Sequence, residues 1–206
     1  WTTSAPSAIP FTQGSHIPEA LDEAGMQSVK QNFVEAAKRA VRLGFSAIEL
    51  HGAHGYLIHE FISPISNQRD DEFGGSLDNR LKFPLDIFDA VRAVVPDNIA
   101  LGIRLTGTDW RDDGLSIDEA KEVARQFQDH GADYLCISSG GITTGLKIPV
   151  APNYQVHLAQ AVKEAVTIPV RAVGLITTPE QANDIILNGQ ADMVALARAF
   201  LANPRW

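Results

Sequence analysis

One cysteine, Cys136, stands among 206 residues, so neither an internal disulfide framework nor a paired-cysteine metal or redox motif exists. A lone thiol leans towards a reducing compartment, and a cytoplasmic location is the expectation. No apolar run reaches the roughly 18 residues of a membrane span, so a membrane is not an expected partner. No block of Lys or Arg offsets the formal charge of -8, which argues against nucleic acid. No Gly-x-Gly-x-x-Gly follows an early strand, the usual mark of a Rossmann sheet. No low-complexity linker or shift in composition divides the chain, and a single domain over 1–206 follows. An initiator Met is missing too. The chain begins at Trp1 and stops at Asn203-Pro-Arg-Trp206 just after a helical turn, which reads as a piece of something longer.

What is present is an ordinary globular composition, 45% hydrophobic, arranged as alternating strands and helices. Five short apolar segments read as buried parallel strands: roughly Ala47–His51, Ala100–Thr106, Tyr134–Ser139, Pro169–Gly174 and Met193–Arg198. Val29, Phe33, Ala36, Ala37, Ala40 and Val41 recur at helical spacing before the first of them, and Leu81, Leu85, Phe88 and Val91 do so after it. Ser116-Ile-Asp-Glu119 is a capping box opening a helix that carries Val123, Ala124 and Phe127. Leu158, Ala159, Val162 and Val166 mark a further helix. Thr178-Pro-Glu-Gln181 caps the next, and Asn188-Gly189 ends it.

Such alternation means parallel strands joined by right-handed crossovers, in an open doubly wound sheet or a closed barrel. Small residues alternating with apolar ones favour the barrel. A (β/α)8 TIM barrel takes about 250 residues, so the α/β chain is expected to hold about five βα units, strands 4 to 8, without the first strands.

In Ala100–Thr106, Leu101, Ile103 and Leu105 share one face, and Gly102, Arg104 and Thr106 the other. The apolar face suits the outer helices, so Arg104 points inward near the carboxyl end of its strand. A buried guanidinium needs a partner: an anion or electron-rich ring in the barrel mouth, or an internal salt bridge such as one to Glu49. His51 and His54, three residues apart after the first strand, can converge on one point. They could polarise a carbonyl or hold a phenolate oxygen. They could instead bind zinc, with His59 or Glu60 turned inward as a third ligand. Tyr56 is a proton donor or a packing ring; a phenol keeps its proton at neutral pH. Gly174, Leu175, Ala197 and Arg198 close the last two strands, where barrels often build a phosphate site. Ser139-Gly-Gly141 reads as a rim or a turn, and the charged stretch Arg69–Arg80 as a solvated loop before a helix.

His51-Gly-Ala-His54-Gly-Tyr-Leu57, followed by Ser66-Asn-Gln-Arg69, Gly74-Gly-Ser76 and Asn79-Arg80, resembles the Old Yellow Enzyme family of FMN-dependent ene-reductases, in its bacterial, xenobiotic-reductase-like branch. The resemblance runs from Ala5-Pro-Ser-Ala8 to Asn203-Pro-Arg-Trp206. It implies a (β/α)8 barrel with FMN across the carboxyl ends of the strands and a ping-pong reaction. NADH or NADPH would reduce FMN, and an α,β-unsaturated carbonyl compound, an enone or similar activated alkene, would then take the hydride. It implies that His51 and His54 bind the substrate's activating group, that Tyr56 is the proton donor and that Arg104 contacts the flavin pyrimidine edge. Gly174, Leu175, Ala197 and Arg198 would grip the FMN phosphate; many members have Gly at the Ala197 position. No metal is implied. Several members assemble as dimers or tetramers, so a homo-oligomer is among the expectations. The family's first-strand flavin contacts and C-terminal tail lie outside the sequence, and the 206 residues alone are expected to bind FMN poorly. A metal-dependent barrel hydrolase using His51 and His54 and a non-catalytic phosphate-binding barrel fragment are the alternatives.

Overall fold

The computed structural model describes residues 2–206. A two-residue parallel ladder, β1 (Ser4–Ala5) with β2 (Glu19–Ala20), precedes helix α1 (Glu23–Arg42). The chain then runs β3 (Ala47–Gly52), α2 (Leu57–Ile62), α3 (Leu77–Arg92), β4 (Ala100–Thr106), α4 (Ile117–Asp129), β5 (Tyr134–Ser138), α5 (Val156–Lys163), β6 (Val170–Ala172), α6 (Pro179–Leu187), β7 (Met193–Val194) and α7 (Arg198–Ala202). All five long-range strands are parallel and hydrogen-bond in the order β3-β4-β5-β6-β7. Sequential order with no reversal is what a barrel requires, because a doubly wound sheet turns back at a switch point. The five expected strands are therefore present as an arc of a (β/α)8 barrel.

Register fixes which side chains face which way. Leu50, Ile103, Leu135 and Val170 lie side by side across the arc and are buried against the helices. His51, Arg104, Cys136, Arg171 and Met193 form the adjacent row on the opposite, inner face. Alternation predicts this for Arg104, and the structure agrees. The outer layer is made by amphipathic helices with defined ends. In α4 the Ser116–Glu119 capping box is formed, and Val123, Ala124 and Phe127 are buried, Phe127 with its ring 5.4 Å from Phe88. Burying one such ring contributes about 1.5–3 kcal/mol. Helix α6 starts on the Thr178–Gln181 box with Pro179 in its first turn, and Gly189 takes φ +68 after its end.

Two strands are shorter than the sequence suggests. The Pro169–Gly174 segment pairs only over Val170–Ala172, and Met193–Arg198 only over Met193–Val194. Beyond those points the backbone leaves the ladder to form the barrel rim, and Arg198 begins α7 instead of ending a strand. Small residues in Ala195-Leu-Ala197 extend the apolar pattern without extending the pairing. Helix α2, six residues directly after the His51–Tyr56 loop, repeats Leu57/Phe61 and Ile58/Ile62 at helical spacing over less than two turns; neither it nor the two-residue β1–β2 ladder is among the expected elements. No helix among the described residues is long and apolar enough to cross a membrane.

Candidate active site

The loops at the carboxyl ends of the strands carry the strain of the molecule. Among the described residues, four non-glycine residues have positive φ: His54 (59°), Trp110 (58°), Asn153 (64°) and Leu175 (52°). One lies after each of β3, β4, β5 and β6. A left-handed non-glycine residue costs about 1–3 kcal/mol and persists only where its surroundings impose it. The amino ends of the strands show no such residue, so the strain marks one face.

Three consecutive N–H groups hold the first of these turns. His54 N–H donates to Thr106 Oγ1 (3.2 Å), Gly55 N–H to His59 Nδ1 (2.9 Å) and Tyr56 N–H to Ala53 O (3.2 Å). Gly55 (φ +74) packs directly on Gly141, where an added Cβ would come within 2.3 Å of the Gly141 carbonyl oxygen. The turn brings the three expected side chains together. The His51 and His54 rings meet edge to face with centroids 5.1 Å apart, and the Tyr56 ring lies 4.9 Å from His51. Tyr56 is 61% exposed, so it is not a core packing ring.

His54 also reaches the strands on the other side. Its Nε2 is 2.6 Å from Ser138 Oγ, to which Arg104 Nη2 donates at 3.3 Å. Ser138 and Ser139 hydroxyls both approach Gln155 Oε1, at 3.1 and 2.6 Å. Burial, then the Arg104 charge, pulls the His54 pKa down to about 4, and the same two causes lower that of His51. Both rings are neutral at pH 7, offering N–H groups without full charge.

A cavity of about 400 Å³ opens beside this cluster, with His54, Arg104, Ser138 and Gln155 on one wall and Gly174, Leu175, Ala197 and Arg198 on the other. The histidine cluster and the two distant strand ends thus meet in one place, although His51 and Tyr56 stand at its margin outside the lining. Arg104 Nε is buried without a protein partner. The salt bridge to Glu49 considered from sequence is not formed; Glu49 pairs with Arg171, whose guanidinium sits 5.2 Å above the Tyr134 ring. Arg171 shares the inner row of Arg104, and Glu49 stands two residues before His51 of that row, beside Gly102 and Tyr134.

The third metal ligand considered for the His51/His54 pair is not in place. His59 is fully buried and faces Asp109, with Nε2 and Oδ1 3.0 Å apart, close enough for an ion pair but off the line of a hydrogen bond, and neither atom has another partner among the described residues. Glu60 lines a separate cavity with Phe11, His16 and Ser66, where burial raises its pKa to about 7.

The Arg69–Arg80 stretch is a correction. It is solvated only in part: Asp70 to Glu72, Gly75 and Ser76 are exposed ahead of α3, but the residues that anchor the stretch are not. Asn67 and Arg80 are buried, the amide donating to the carbonyls of Phe61 and Phe73 and the guanidinium to those of Ile62 and Gly75. Arg80 also binds Glu119 at 2.8 Å, so the carboxylate that closes the α4 cap anchors it as well. Arg69 clamps the N-terminal segment through the carbonyls of Pro6 and Leu21. An arginine spaced among glycines and asparagine, which tie off free carbonyls, is the signal that could have been read.

The sequence profile described as NADH:flavin oxidoreductase / NADH oxidase family matches residues 2–206. A protein named NADPH dehydrogenase from Geobacillus sp. (strain WCH70) is 44% identical over 202 residues, covering 98% of this chain and 58% of its own length. A second NADPH dehydrogenase, from Bacillus licheniformis, is 40% identical over 205 residues, covering 100% of this chain and 60% of its own. The chain therefore spans somewhat over half the length of these relatives. Among solved structures, morphinone reductase in complex with tetrahydroNAD superposes with a TM-score of 0.80 at 26% identity, over 100% of this chain and 58% of that one. A 2-naphthoyl-CoA reductase bound to 2-naphthoyl-CoA gives 0.90 at 26% identity, over 98% and 31%.

Proposed function

The chain belongs to the NADH:flavin oxidoreductase / NADH oxidase family, and from that premise we propose that it carries the substrate-polarising and FMN-holding face of an NAD(P)H-dependent ene-reductase. One observation carries the reading: two neutral imidazoles and an exposed phenol converge beside a cavity lined by Arg104, whose Nε is buried without a partner among the described residues.

The residues fit FMN. A buried, orphaned Arg104 Nε calls for an acceptor, and the electron-rich pyrimidine edge of a flavin is one. Gly174, with φ +120 and no room for a Cβ beside Gln155, keeps backbone close to the cavity. With Leu175, Ala197 and Arg198 it would hold the phosphate through backbone N–H groups and one charged fork. Bound FMN would supply the redox chemistry, taking hydride from NADPH or NADH and passing it to an alkene. The names of the relatives favour NADPH.

The chain's own residues then do two things. His51 and His54 donate N–H groups to the carbonyl oxygen of an α,β-unsaturated substrate, and the bonds strengthen as negative charge gathers there. For His54 the free nitrogen is Nδ1, with the Ser138 hydroxyl donating to Nε2; Ser139, at 2.6 Å, keeps Gln155 Oε1 satisfied. Tyr56 gives the α-carbon its proton, and its exposure lets that proton be replaced from water.

The test uses the full-length protein. It should purify with a flavin absorption band and oxidise NADPH only when a cyclic enone is supplied or oxygen substitutes for it. Absence of flavin, or a flavin that NADPH reduces but an enone does not reoxidise, removes the ene-reductase reading.

A further inference from the structure

We propose that His59 is a positioning residue for the histidine–tyrosine cluster: Asp109 sets its tautomer, and its bare Nδ1 holds the Gly55 N–H that fixes the His54–Gly55 turn. The inference rests on the ene-reductase reading for its effect on turnover, but not for its structural part.

The proton bookkeeping leaves one arrangement. Gly55 N–H donates to His59 Nδ1 at 2.9 Å, so that nitrogen carries no proton. A neutral ring must then carry it on Nε2, which faces Asp109 Oδ1 at 3.0 Å. Burial alone would raise the Asp109 pKa. The Ser63 hydroxyl (2.6 Å) and the Leu115 N–H (2.8 Å) both donate to Oδ2, and with the His59 ring against Oδ1 they keep the carboxyl pKa below its ordinary range. An ionised carboxylate accepts and never donates, so Asp109 admits only the tautomer that Gly55 needs. Both residues are fully buried, and water cannot substitute for either.

What they hold is the strained part of the site. His54 and Gly55 are consecutive left-handed residues, and the helix that follows has no side-chain cap, because Tyr56 occupies that position. His59, in the first turn of α2, reaches back four residues and does the work of a cap on the loop's own N–H. Without it, the half-buried Gly55 N–H loses its protein partner, and the His54 and Tyr56 side chains on either side of it lose their common frame. A displacement of about 1 Å in a reacting group is enough for a rate loss on the order of a hundredfold.

Two substitutions separate the two bonds of the ring. Asparagine places an acceptor where Nδ1 stands and keeps the Gly55 bond; glutamine places its amide nitrogen near the Nε2 position and keeps the Asp109 bond. In the full-length holoenzyme, His59→Asn is expected to keep kcat for the enone within about threefold of wild type. His59→Gln and His59→Leu should lose tenfold or more, with KM for NADPH little changed. Amide hydrogen exchange at Gly55 is the readout independent of activity: slow in wild type and His59→Asn, fast in His59→Gln and His59→Leu. If His59→Leu fails to fold, the asparagine–glutamine pair decides alone. Equal turnover and equal Gly55 protection in the asparagine and glutamine variants overturn the proposal. Should wild type lack enone turnover altogether, the functional reading fails, while the Gly55 exchange pattern still supports or overturns the role of His59 in holding the turn.

Discussion

The two walls of the cavity are built differently. On the β3–β5 side, strands of six, seven and five residues end in a web that ties His54, Thr106, Ser138, Gln155, His59 and Asp109 to one another. On the β6–β7 side, strands of three and two residues give way to a rim of Gly174, Leu175 and Ala197, with Arg198 exposed beside it. The first wall is organised by the protein itself. The second presents backbone groups and a guanidinium for something else to organise, as a phosphate would. Substitutions on the first wall should therefore act on chemistry and on the unliganded fold, and those on the second on ligand affinity.

The hardest test of that difference is Tyr56→Phe. It removes one hydroxyl from an exposed ring, so the thermal midpoint should stay within a degree or two. If Tyr56 supplies the proton, kcat for enone reduction should fall by about 10²–10⁴, while flavin reduction by NADPH, followed by stopped-flow absorbance, is unaffected. An equal loss in both half-reactions would assign Tyr56 to nicotinamide binding instead. Arg80→Ala tests the scaffold beneath the same wall. It strips a buried guanidinium from Glu119 and from the carbonyls of Ile62 and Gly75. Stability should drop by about 3 kcal/mol, read as a lower urea midpoint. A change under 1 kcal/mol would return the Arg69–Arg80 stretch to the solvated loop that its charge density suggests.

That stretch shows where sequence reading stops. Arg104 was legible because Ala100–Thr106 alternates cleanly over seven residues, long enough for the inner face to be unambiguous. His51, His54 and Tyr56 were legible because they sit within one loop. His59 and Asp109 are 50 positions apart with no pattern between them, and Glu49 meets Arg171 across 122; only folding brings such pairs together. Arg80 was misread for another reason. Polarity predicts exposure unless free backbone carbonyls need donors, and those carbonyls are invisible before the loop is built. The Met193–Arg198 strand was overextended because apolar character persists through Ala195–Ala197 after the ladder ends.

On the second wall, Gly174→Ala should cost about 1–3 kcal/mol, because φ +120 is strained for any side chain and the new Cβ would lie 2.8 Å from Gln155 Nε2. Gln155 Oε1 lies 3.1 Å from Ser138 Oγ, so displacing it crowds that hydroxyl, and this variant alone among the rim changes should also disturb His54; a shift of its imidazole resonance would show it. Arg198→Ala is milder. Its unliganded stability should move by less than about 0.5 kcal/mol, while FMN affinity falls by roughly tenfold or more, the worth of one charge-assisted hydrogen bond. Titration of the apoprotein with FMN distinguishes the two, and equal FMN affinity in wild type and Arg198→Ala would mean the phosphate is held elsewhere.

The smallest effect is the one that pH reveals, and it too divides the walls. The His54 pKa is about 4 in the folded protein against an ordinary 6.5, so between those values the unfolded chain binds the extra proton. Its contribution to stability is complete above pH 6.5 and is lost as pH falls towards 4. Glu60 has the opposite sign: raised to about 7 from 4.5, its contribution is complete below 4.5 and is lost as pH rises through 7. Both lie on the β3–α2 side. The opposite rim, Val173 to Thr177 and Ala195 to Ala197, has no side chain that titrates in this window. Urea midpoints between pH 4 and 8 should therefore lose part of their acid slope in His54→Gln and part of their alkaline slope in Glu60→Gln, and keep both in Arg198→Ala. An unchanged acid slope in His54→Gln would mean that the ring already takes up its proton near 6.5, as an imidazole free of Arg104 and of burial would. The wall described as organised by the protein would then be as open as the other.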